Sequence, residues 1–294
     1  MDLHALKQFL VVARLEHLSR AADELRVAQP SLSRTIARLE SELGTPLFDR
    51  AGRLRLNEAG RLFREHVERC LGELDAGRRA VAEAAREGIG TVRLASETFL
   101  TITDLLAAYK HAHPDIDVEL RQMPSADMHR ALHAREVDLC LASQPIPEDG
   151  LDSVHLHDEP VWLAAPPGHR LASRSSVTVR ELRDEPFVTT RPGHWQRRLL
   201  DQLFTGNNLT PRIVCEGDEA AATADLVSAG IGLTLIPEMA RHARTRAPVA
   251  WIGIDDPACR RTLTLHQAAD ARLSTAARLM RATLTSWSWT TAAE

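Results

Sequence analysis

LSRAADELRVAQPSLSRTIARL, residues 18–39, is the stretch that sets the organisation of the first part of the chain. Ser19 is a favourable helix N-cap, and the small and apolar residues after it predict one short helix. The helical pattern breaks at about residues 26 and 27. A second helix is predicted to open at residues 28–30, Ala-Gln-Pro, because proline is tolerated in the first turn of a helix.

The second helix has one apolar face and one polar face. Leu32, Ile36 and Leu39 recur at helical spacing and form a buried stripe. The polar face carries amide, hydroxyl and guanidinium groups, on Gln29, Ser31, Ser33, Arg34 and Arg38. This arrangement is typical of a helix-turn-helix that presents a recognition helix. An ordinary helical hairpin with a solvated polar face has the same pattern, so the pattern alone leaves both interpretations open.

A longer motif favours the helix-turn-helix. The segments AADEL (21–25), VAQPSLSRTIARLESELGTPLFDR (27–50) and, after a basic turn, NEAG (57–60) resemble the DNA-binding domain of LysR-type transcriptional regulators. The resemblance covers about the first sixty residues closely and the later chain more loosely. It implies that four positions of the second helix meet DNA, namely Gln29, Pro30, Ser33 and Arg34.

A basic turn follows the recognition helix. Residues 50–56, RAGRLRL, alternate basic and neutral residues about a glycine and predict a two-stranded wing. Arginines beside a recognition helix suit phosphates and a narrow minor groove. The wing is about one residue shorter than is usual in the family, which leaves open whether Arg53 or Arg55 enters the groove. The predicted DNA-binding set is Gln29, Pro30, Ser31, Ser33, Arg34, Arg38, Arg50, Arg53 and Arg55.

Two further helices are predicted around this motif. Asp2 caps a support helix over residues 2–15, and Asn57 caps a long helix that continues to about Glu87. Apolar and small residues of the long helix alternate in steps of four and three, which predicts a dimerisation seam. The alternative is a helix that lies on its own domain. The seam consists of Phe63, Val67, Cys70, Leu74, Gly77, Val81 and Ala84.

Charge is distributed unevenly along the chain. The formal charge of the whole chain is −4, but residues 1–64 contain 11 Lys and Arg against 8 Asp and Glu, so the remainder carries −7. A basic head on an acidic body favours a DNA-binding domain joined to a domain of another kind. The four cysteines lie far apart and show no metal spacing, and no apolar run is long enough to span a membrane. We therefore expect a soluble, cytoplasmic protein.

The pattern changes to alternating strands and helices beyond a predicted hinge at residues 87–90. Near-continuous apolar strands that alternate with helices predict a parallel sheet covered on both faces. The predicted strands are 91–95, 118–122, 138–142, 161–165, 187–190, 212–215, 232–236 and 261–268. The predicted helices are 102–111, 127–134, 195–204, 220–229 and 272–287.

These elements predict two α/β lobes linked by two crossing strands. The arrangement resembles the periplasmic-binding-protein-like effector domain of the LysR family, and SAGIGLTLIP (228–237) matches a motif of that family. The predicted fold class is α+β multidomain, in three parts. They are a winged helix-turn-helix (1–58), a linker and dimerisation helix (59–87) and a two-lobed effector-binding domain (88–294), with lobe I at about 91–161 and 267–290 and lobe II at about 162–266.

The effector site is predicted where strands end and helices begin, because free N–H groups and the helix dipole favour ligands there. The resemblance points to the same loops. For a single hydroxyl such as that of Ser96 or Ser125, a helix N-cap is the alternative role. The predicted effector-binding residues are Ser96, Glu97, Thr98, Ser125, Ser143, Thr189, Arg191, His194, Trp195, Glu216 and Asp218.

Acidic residues outnumber basic ones in these loops, which favours an amino acid or an amine over a ligand with only carboxylates. Thr98 is predicted to lie in the first turn of a helix that faces the cleft and to bind an effector carboxylate. Glu97 or Glu216 would then engage the amino group.

Other classes of protein fit less well. No catalytic or nucleotide-binding motif is present, and the histidine pairs 129/133 and 155/157 have no third metal ligand at a natural distance. We therefore expect no enzyme activity, metal or cofactor. A solute-binding transport protein and an enzyme with a DNA-binding head are the alternatives. The first would carry a secretory signal, and the second would show a catalytic constellation.

The sequence thus predicts a LysR-type regulator that binds a partly palindromic promoter site as a homodimer or homotetramer. Its expected partners are double-stranded DNA, a small-molecule effector, further copies of the chain and RNA polymerase, with no membrane.

Overall fold

The computed structural model describes residues 1–49, 52–84, 90–99, 102–218, 222–241 and 248–289, without the side chains of residues 82–84. These residues form two compact units. One comprises Met1–Ala85 with His133–Glu136, and the other comprises Arg86–Leu132 and Val137–Glu294. Arg50, Glu87 and the side chain of Ala84, which the predictions name, lie outside the described parts.

The first unit begins with three helices, α1 (Leu3–Leu15), α2 (Leu18–Leu25) and α3 (Gln29–Leu43). The chain turns between α2 and α3 with Arg26 in the left-handed region, at φ 54°. Helix α3 ends at Gly44, whose φ of 72° suits a residue without a Cβ atom. The predicted break and the predicted start of the second helix are therefore confirmed.

The caps of the first two helices differ from each other. Asp2 caps α1 as predicted, since its side chain accepts a hydrogen bond of 2.8 Å from the N–H of Ala5. The predicted cap of α2 is wrong. His17 occupies that position and its ring accepts a bond of 3.3 Å from Arg20 N–H, whereas Ser19 already lies inside the helix.

An aromatic cluster forms the centre of this small core. The ring of Phe9 lies 5.8 Å from that of Phe48 and 5.1 Å from that of Phe63. Each large apolar side chain that folding removes from water stabilises the domain by about 1.5–3 kcal/mol. The apolar stripe of α3 packs into the same core through Leu32, Ile36 and Leu39.

The wing is a short antiparallel pair, β1 (Phe48–Asp49) and β2 (Arg55–Leu56). Two carboxyl groups of the helices hold it. Glu40 accepts a bond of 2.8 Å from Leu47 N–H, and Glu16 accepts one of 2.9 Å from the N–H of Leu56. These bonds orient the wing relative to α3.

A long helix, α4 (Glu58–Ala84), follows the wing. Asn57 caps it as predicted, accepting a bond of 2.8 Å from Gly60 N–H. The predicted seam divides into two parts. Phe63 and Val67 belong to the core of their own domain, as the alternative interpretation held. Exposed residues follow along the rest of the helix, at Cys70, Leu74 (43% exposed) and Val81 (72%).

The second unit contains alternating strands and helices. Its strands are β3 (Thr91–Ser96), β4 (Asp117–Gln122), β5 (Leu139–Ala142), β6 (Leu151–Ala165), β7 (Ser176–Val177), β8 (Pro186–Thr190), β9 (Arg212–Gly217), β10 (Thr234–Pro237), β11 (Ala250–Ile254) and β12 (Arg260–Ala268). Its helices are α5 (Thr103–Ala112), α6 (Ser125–His133), α7 (Trp195–Gly206), α8 (Thr223–Ser228), α9 (Glu238–Arg241) and α10 (Thr275–Ser286).

Two long strands run through both lobes. In lobe I, β3 pairs in parallel with β4 and β5, and β12 joins β5 antiparallel. Strands β6 and β12 pair antiparallel, and the end of β6 continues into lobe II to pair with β10 and β11. In lobe II, β8 pairs in parallel with β9 beneath α7. The two predicted crossing strands are therefore β6 and β12.

The sequence placed several elements of this unit incorrectly. Strand β6 begins at Leu151 rather than at Val161, because its first part is rich in polar residues and lacks an apolar run. Helix α6 begins at Ser125 rather than at Asp127. Strands β7 and β11 were not predicted at all, since each is short and pairs with segments remote in sequence.

Within the described ranges, no helix combines the length and the apolar character needed to cross a lipid bilayer.

Candidate functional site

The polar face of α3 is open to solvent. Gln29, Pro30, Ser31 and Arg34 are exposed, and Ser33 is half-buried. The Nε atom of Arg34 donates to the Pro30 carbonyl at 3.3 Å, which lays the guanidinium along the first turn of the helix. Because the opposite face of α3 is buried in the core, the helix is held with this polar face directed outward.

Arg38, further along the same face, has carboxylate neighbours. Its guanidinium lies 3.4 Å from an oxygen of Asp2 and 4.0 Å from one of Glu42. Ion pairs this exposed contribute about 0–1 kcal/mol, so a phosphate can replace the carboxylates at little cost. Arg38 therefore remains available to a phosphate.

The wing presents two exposed arginines, Arg53 and Arg55, beside Gly52, whose φ is 90°. Their side chains extend the basic surface beyond α3. The start of α3 adds to it, since no side chain caps the helix at Ala28 and helix N-termini attract phosphates. The combined surface suits a polyanion that contacts a helix and an adjacent turn together.

A cavity of about 590 Å³ lies between the lobes of the second unit. Lobe I contributes the start of α6 and the loop after β5, while lobe II contributes the loop before α7 and one face of that helix along its length. The lining residues are Ser125, Ala126, Gln144, Pro145, Ile146, Pro147, Pro192, Gly193, Arg197, Arg198, Asp201, Gln202, Thr205 and Gly206. Its walls combine prolines with charges of both signs.

Glu97 connects the lobes beside this cavity. It is 1% exposed, and its carboxyl oxygens accept bonds from Ser143 N–H (3.0 Å), Gln144 Nε2 (2.9 Å) and the N–H of Trp195 (2.9 Å). Burial raises the pKa of Glu97 above its ordinary value, and these hydrogen bonds oppose that shift. Gln144 also donates to the Gly193 carbonyl at 2.9 Å, which forms a second bridge.

The predicted hydroxyl residues of lobe I occupy different surroundings. Ser125 lines the cavity, and its hydroxyl lies beside Gln144 Nε2. Ser96 donates from its hydroxyl to the Thr98 carbonyl at 2.8 Å, within its own loop. The prediction that Thr98 starts a helix is wrong, because α5 begins at Thr103. Thr98 lies in the loop that precedes it.

The predicted residues of lobe II cluster near the start of α7. Thr189 is buried at the end of β8, and its hydroxyl has no hydrogen-bond partner within the described residues. Arg191 forms an exposed ion pair with Asp218, at 3.4 Å. Burial lowers the pKa of His194, although the nearby Asp218 carboxylate opposes this shift. The ring of Trp195 is buried.

The acidic residues that favoured an amine effector have partners. Glu216 pairs with Arg197, which also contacts Asp201 at 3.0 Å. Asp218 pairs with Arg191, and Glu97 is engaged by its three donors. Asp201, on α7, is an acid that lines the cavity.

Sequence reasoning missed the charged cavity residues of α7, namely Arg197, Arg198 and Asp201. It considered only the loop before the helix, whereas a polar face over the first turns of a helix at a strand end was a usable signal. Gln144, which lines the cavity and binds Glu97, was likewise not among the predicted site residues. Across the described ranges, no three histidine, cysteine or acidic side chains come together as a metal site.

Comparisons with known proteins agree with both regions. The family described as "Bacterial regulatory helix-turn-helix protein, lysR family" matches residues 3–61, and the "LysR substrate binding domain" matches residues 85–289. The chain is 33% identical over 267 residues to the uncharacterized HTH-type transcriptional regulator YybE of Bacillus subtilis, covering 90% of this chain and 91% of that protein.

A second relative and a solved structure cover nearly the whole chain. The transcriptional dual regulator GltC of Bacillus subtilis is 32% identical over 283 residues, covering 94% of each chain. The crystal structure of full-length CbnR complexed with its target DNA has the same fold, with a TM-score of 0.65 and 22% identity over 97% of this chain and 99% of that one.

The relatives and the structural neighbours are transcriptional regulators, not enzymes. With its N-terminal helix-turn-helix and its C-terminal effector-binding domain, the chain belongs to the LysR family of DNA-binding transcriptional regulators.

Proposed function

We propose that this regulator reads promoter bases with α3, contacts the flanking backbone with its wing, and changes those contacts when an effector binds between the lobes. The observation that carries the proposal is the polar face of α3, exposed on one side and fixed by buried leucine and isoleucine on the other. Gln29 suits the N6 and N7 edge of adenine, and Arg34 suits O6 and N7 of guanine.

The proposal includes assembly into a homodimer or homotetramer on a partly palindromic site. A helix-turn-helix gains affinity and half-site spacing from a second copy. The exposed apolar side chains of α4, Leu74 and Val81, support an interface there, since they lie seven positions apart, as residues of a coiled-coil seam do. Contact with RNA polymerase and a cytoplasmic location belong to the same proposal, because both follow from action at a promoter.

The proposed effector carries an amino group and a carboxylate, as an amino acid does. Asp201 supports the amino group, although it shares its charge with Arg197. Arg198 supports the carboxylate, since its guanidinium is exposed in the cavity wall and contacts only a neutral oxygen, Gln144 Oε1, at 3.5 Å among the described residues. An amine without a carboxylate would use Asp201 alone, so the two ligand types can be distinguished through Arg198.

The test of base reading is a titration of fluorescent promoter DNA, taken from upstream of the gene itself, with wild type and Arg34→Ala. Arg34→Ala is expected to cost about 1–3 kcal/mol and to relax the preference at one base pair. Arg183→Ala removes the same charge from an exposed site in lobe II and serves as the control. Equal weakening on all DNA sequences would make Arg34 a phosphate contact instead.

The test of sensing is a thermal-shift screen of amino acids and amines, because binding to the folded state raises the melting temperature. A hit should lose its effect in Arg198→Ala if it carries a carboxylate and keep it if it is a simple amine. Compounds that bind equally well to Arg198→Ala and to an Asp201→Asn variant would contradict the proposed cavity.

A further inference from the structure

The carboxyl group of Glu97 has the surroundings of a bound ligand. It belongs to lobe I, where it follows β3, but one of its donors is the first N–H of α7 in lobe II. The other donors are Ser143 N–H and the amide of Gln144, both of lobe I. A helix start, a loop N–H and a side-chain amide are the groups with which proteins commonly hold carboxylates.

The contacts are too many for a side chain that is merely packed. Three donors converge on two oxygens, all at 2.9–3.0 Å, and the residue is almost fully buried. The guanidinium of Arg261, itself fully buried, adds an attractive charge. The backbone carbonyl of Glu97 also accepts from Gln122 at 3.2 Å, which orients the residue from the neighbouring strand.

We infer that Glu97 is a built-in substitute for a ligand carboxylate, which occupies the N–H groups between the lobes and holds the lobes together without an effector. The inference rests on the proposed function only in taking this cleft as the effector site. It deepens that function, because it defines where an effector carboxylate does not bind.

The position of Glu97 restricts where an effector carboxylate can bind. An external carboxylate at the start of α7 would have to displace Glu97 from its donors, whereas Arg198 in the cavity offers a positive charge. Glu97 therefore excludes simple carboxylates from the helix start and directs the anionic end of an effector toward Arg198.

The experiment is chemical rescue of the full-length Glu97→Ala variant with acetate. Removal of the side chain leaves the N–H groups of Ser143 and Trp195 without their acceptor, while Gln144 keeps its bond to the Gly193 carbonyl, and acetate has the size and charge to replace the lost carboxylate. At about 0.1 M acetate, roughly ten times a Kd of about 10 mM, the melting temperature of Glu97→Ala should rise by about 2–4 °C. Wild type and the exposed-site control Glu148→Ala should not respond.

Two controls are measured at the same concentration. Acetamide tests whether the shape of acetate is sufficient without its charge, and sodium chloride tests whether ionic strength alone has the effect. Acetamide matches acetate in size but presents an N–H₂ group to one of the donors, so its effect should be much smaller. Equal rescue by acetamide, rescue by chloride, or an equal rise in wild type would each overturn the inference.

Hydrogen exchange measured by mass spectrometry provides a second readout and covers the case in which Glu97→Ala does not fold. In Glu97→Gln, the amides of Ser143 and Trp195 should exchange faster than in wild type, because one of them then faces an amide N–H₂. Unchanged exchange at both amides would overturn the inference, while operator binding by the same variant separately reports whether the DNA-binding function is intact.

Discussion

The N-termini of α3 and α7 differ in their availability to an anion. No side chain caps α3 at Ala28, and its first turn is exposed. The first N–H of α7, on Trp195, is buried and bonded to Glu97 of the other lobe. Since a helix N-terminus carries a partial positive charge, the first start is available to a phosphate of DNA and the second is satisfied from within. One chain thus leaves anion sites open in one domain and fills them in the other.

The largest expected effect is a loss of stability when the buried ion pair of Arg261 with Glu159 is broken. Arg261 is fully buried, pairs with Glu159 and lies with its guanidinium 5.4 Å from the centre of the Trp195 ring. Arg261→Met leaves Glu159 buried without its partner and should lower the free energy of unfolding by about 3–5 kcal/mol.

Urea denaturation measures this loss, and the neighbouring exposed Arg260→Met is the matched control. The double variant with Glu159→Leu should recover most of the stability, because Glu159 then no longer remains buried without its partner. A single variant as stable as the control would mean that the buried pair is not needed, and the contrast between the domains would weaken.

A second test uses pH. His266 is 2% exposed and its Nδ1 atom lies 2.8 Å from Ser153 Oγ. Burial lowers the pKa of His266 from 6.5 to about 4. The unfolded chain therefore binds this proton at higher pH than the folded chain, so the contribution is present above pH 6.5 and is lost as pH falls toward 4.

The loss approaches about 3 kcal/mol at the low end of that window. Urea denaturation at a series of pH values should show a shallower decline in His266→Gln than in wild type. If the free energy of unfolding depends on pH identically in the two proteins, the burial of His266 does not contribute to the pH dependence of stability.

Features that depend on residues close together in the sequence could be predicted, whereas contacts between residues far apart in the sequence could not. The helix-turn-helix depends on neighbours: Asp2, Asn57 and Pro30 each act within one turn of a helix, and their roles were readable. The bond from Trp195 N–H to Glu97 spans 98 positions. The sequence suggested both residues for the cleft but contained no signal that one binds the other.

The errors have different origins. Thr98 was assigned to the first turn of a helix although the predicted helix began only at residue 102, and α5 begins at Thr103. The first part of β6 was missed because a strand exposed on one face lacks an apolar run. Its pairing partner β12, remote in sequence, determines that this segment is a strand.

A substitution among the exposed apolar residues of α4 should give a smaller effect, a loss of self-association that depends on protein concentration. Leu74→Glu should weaken association of the full chain at least about tenfold, or about 1.4 kcal/mol, because dimerisation would bury the new charge. Sedimentation velocity over a range of concentrations measures it. Leu62→Glu, on the same helix but outside the predicted seam and 60% exposed, is the control. If Leu62→Glu dissociates the protein and Leu74→Glu does not, the interface lies on the other side of α4.

The smallest expected effect concerns the exposed arginines of the wing and the salt dependence of DNA binding. Arg53→Ala and Arg55→Ala should each lower the slope of log K against log salt concentration by about 1 if the residue contacts a phosphate. The arginine that enters the minor groove should in addition lose preference for a narrow, A·T-rich flank. Salt titrations on two flanking sequences separate the roles, and unchanged slopes for both variants would exclude the wing from the DNA interface.

The ladder between β6 and β12 has a consequence for how the lobes move. Its register shifts between Leu263 and Thr264, which face His157 and His155, so that Leu156 is the extra residue of a bulge. Bulges interrupt the ladder locally and increase the twist of the strand pair at that point. We expect the lobes to rotate about this ribbon as a torsional axis, so that effector binding changes the angle between them while spacings along each strand stay constant. Spin labels at exposed Glu148 and Arg183 would report that rotation as a change of distance, and a constant distance across effector titration would assign the response to side chains alone.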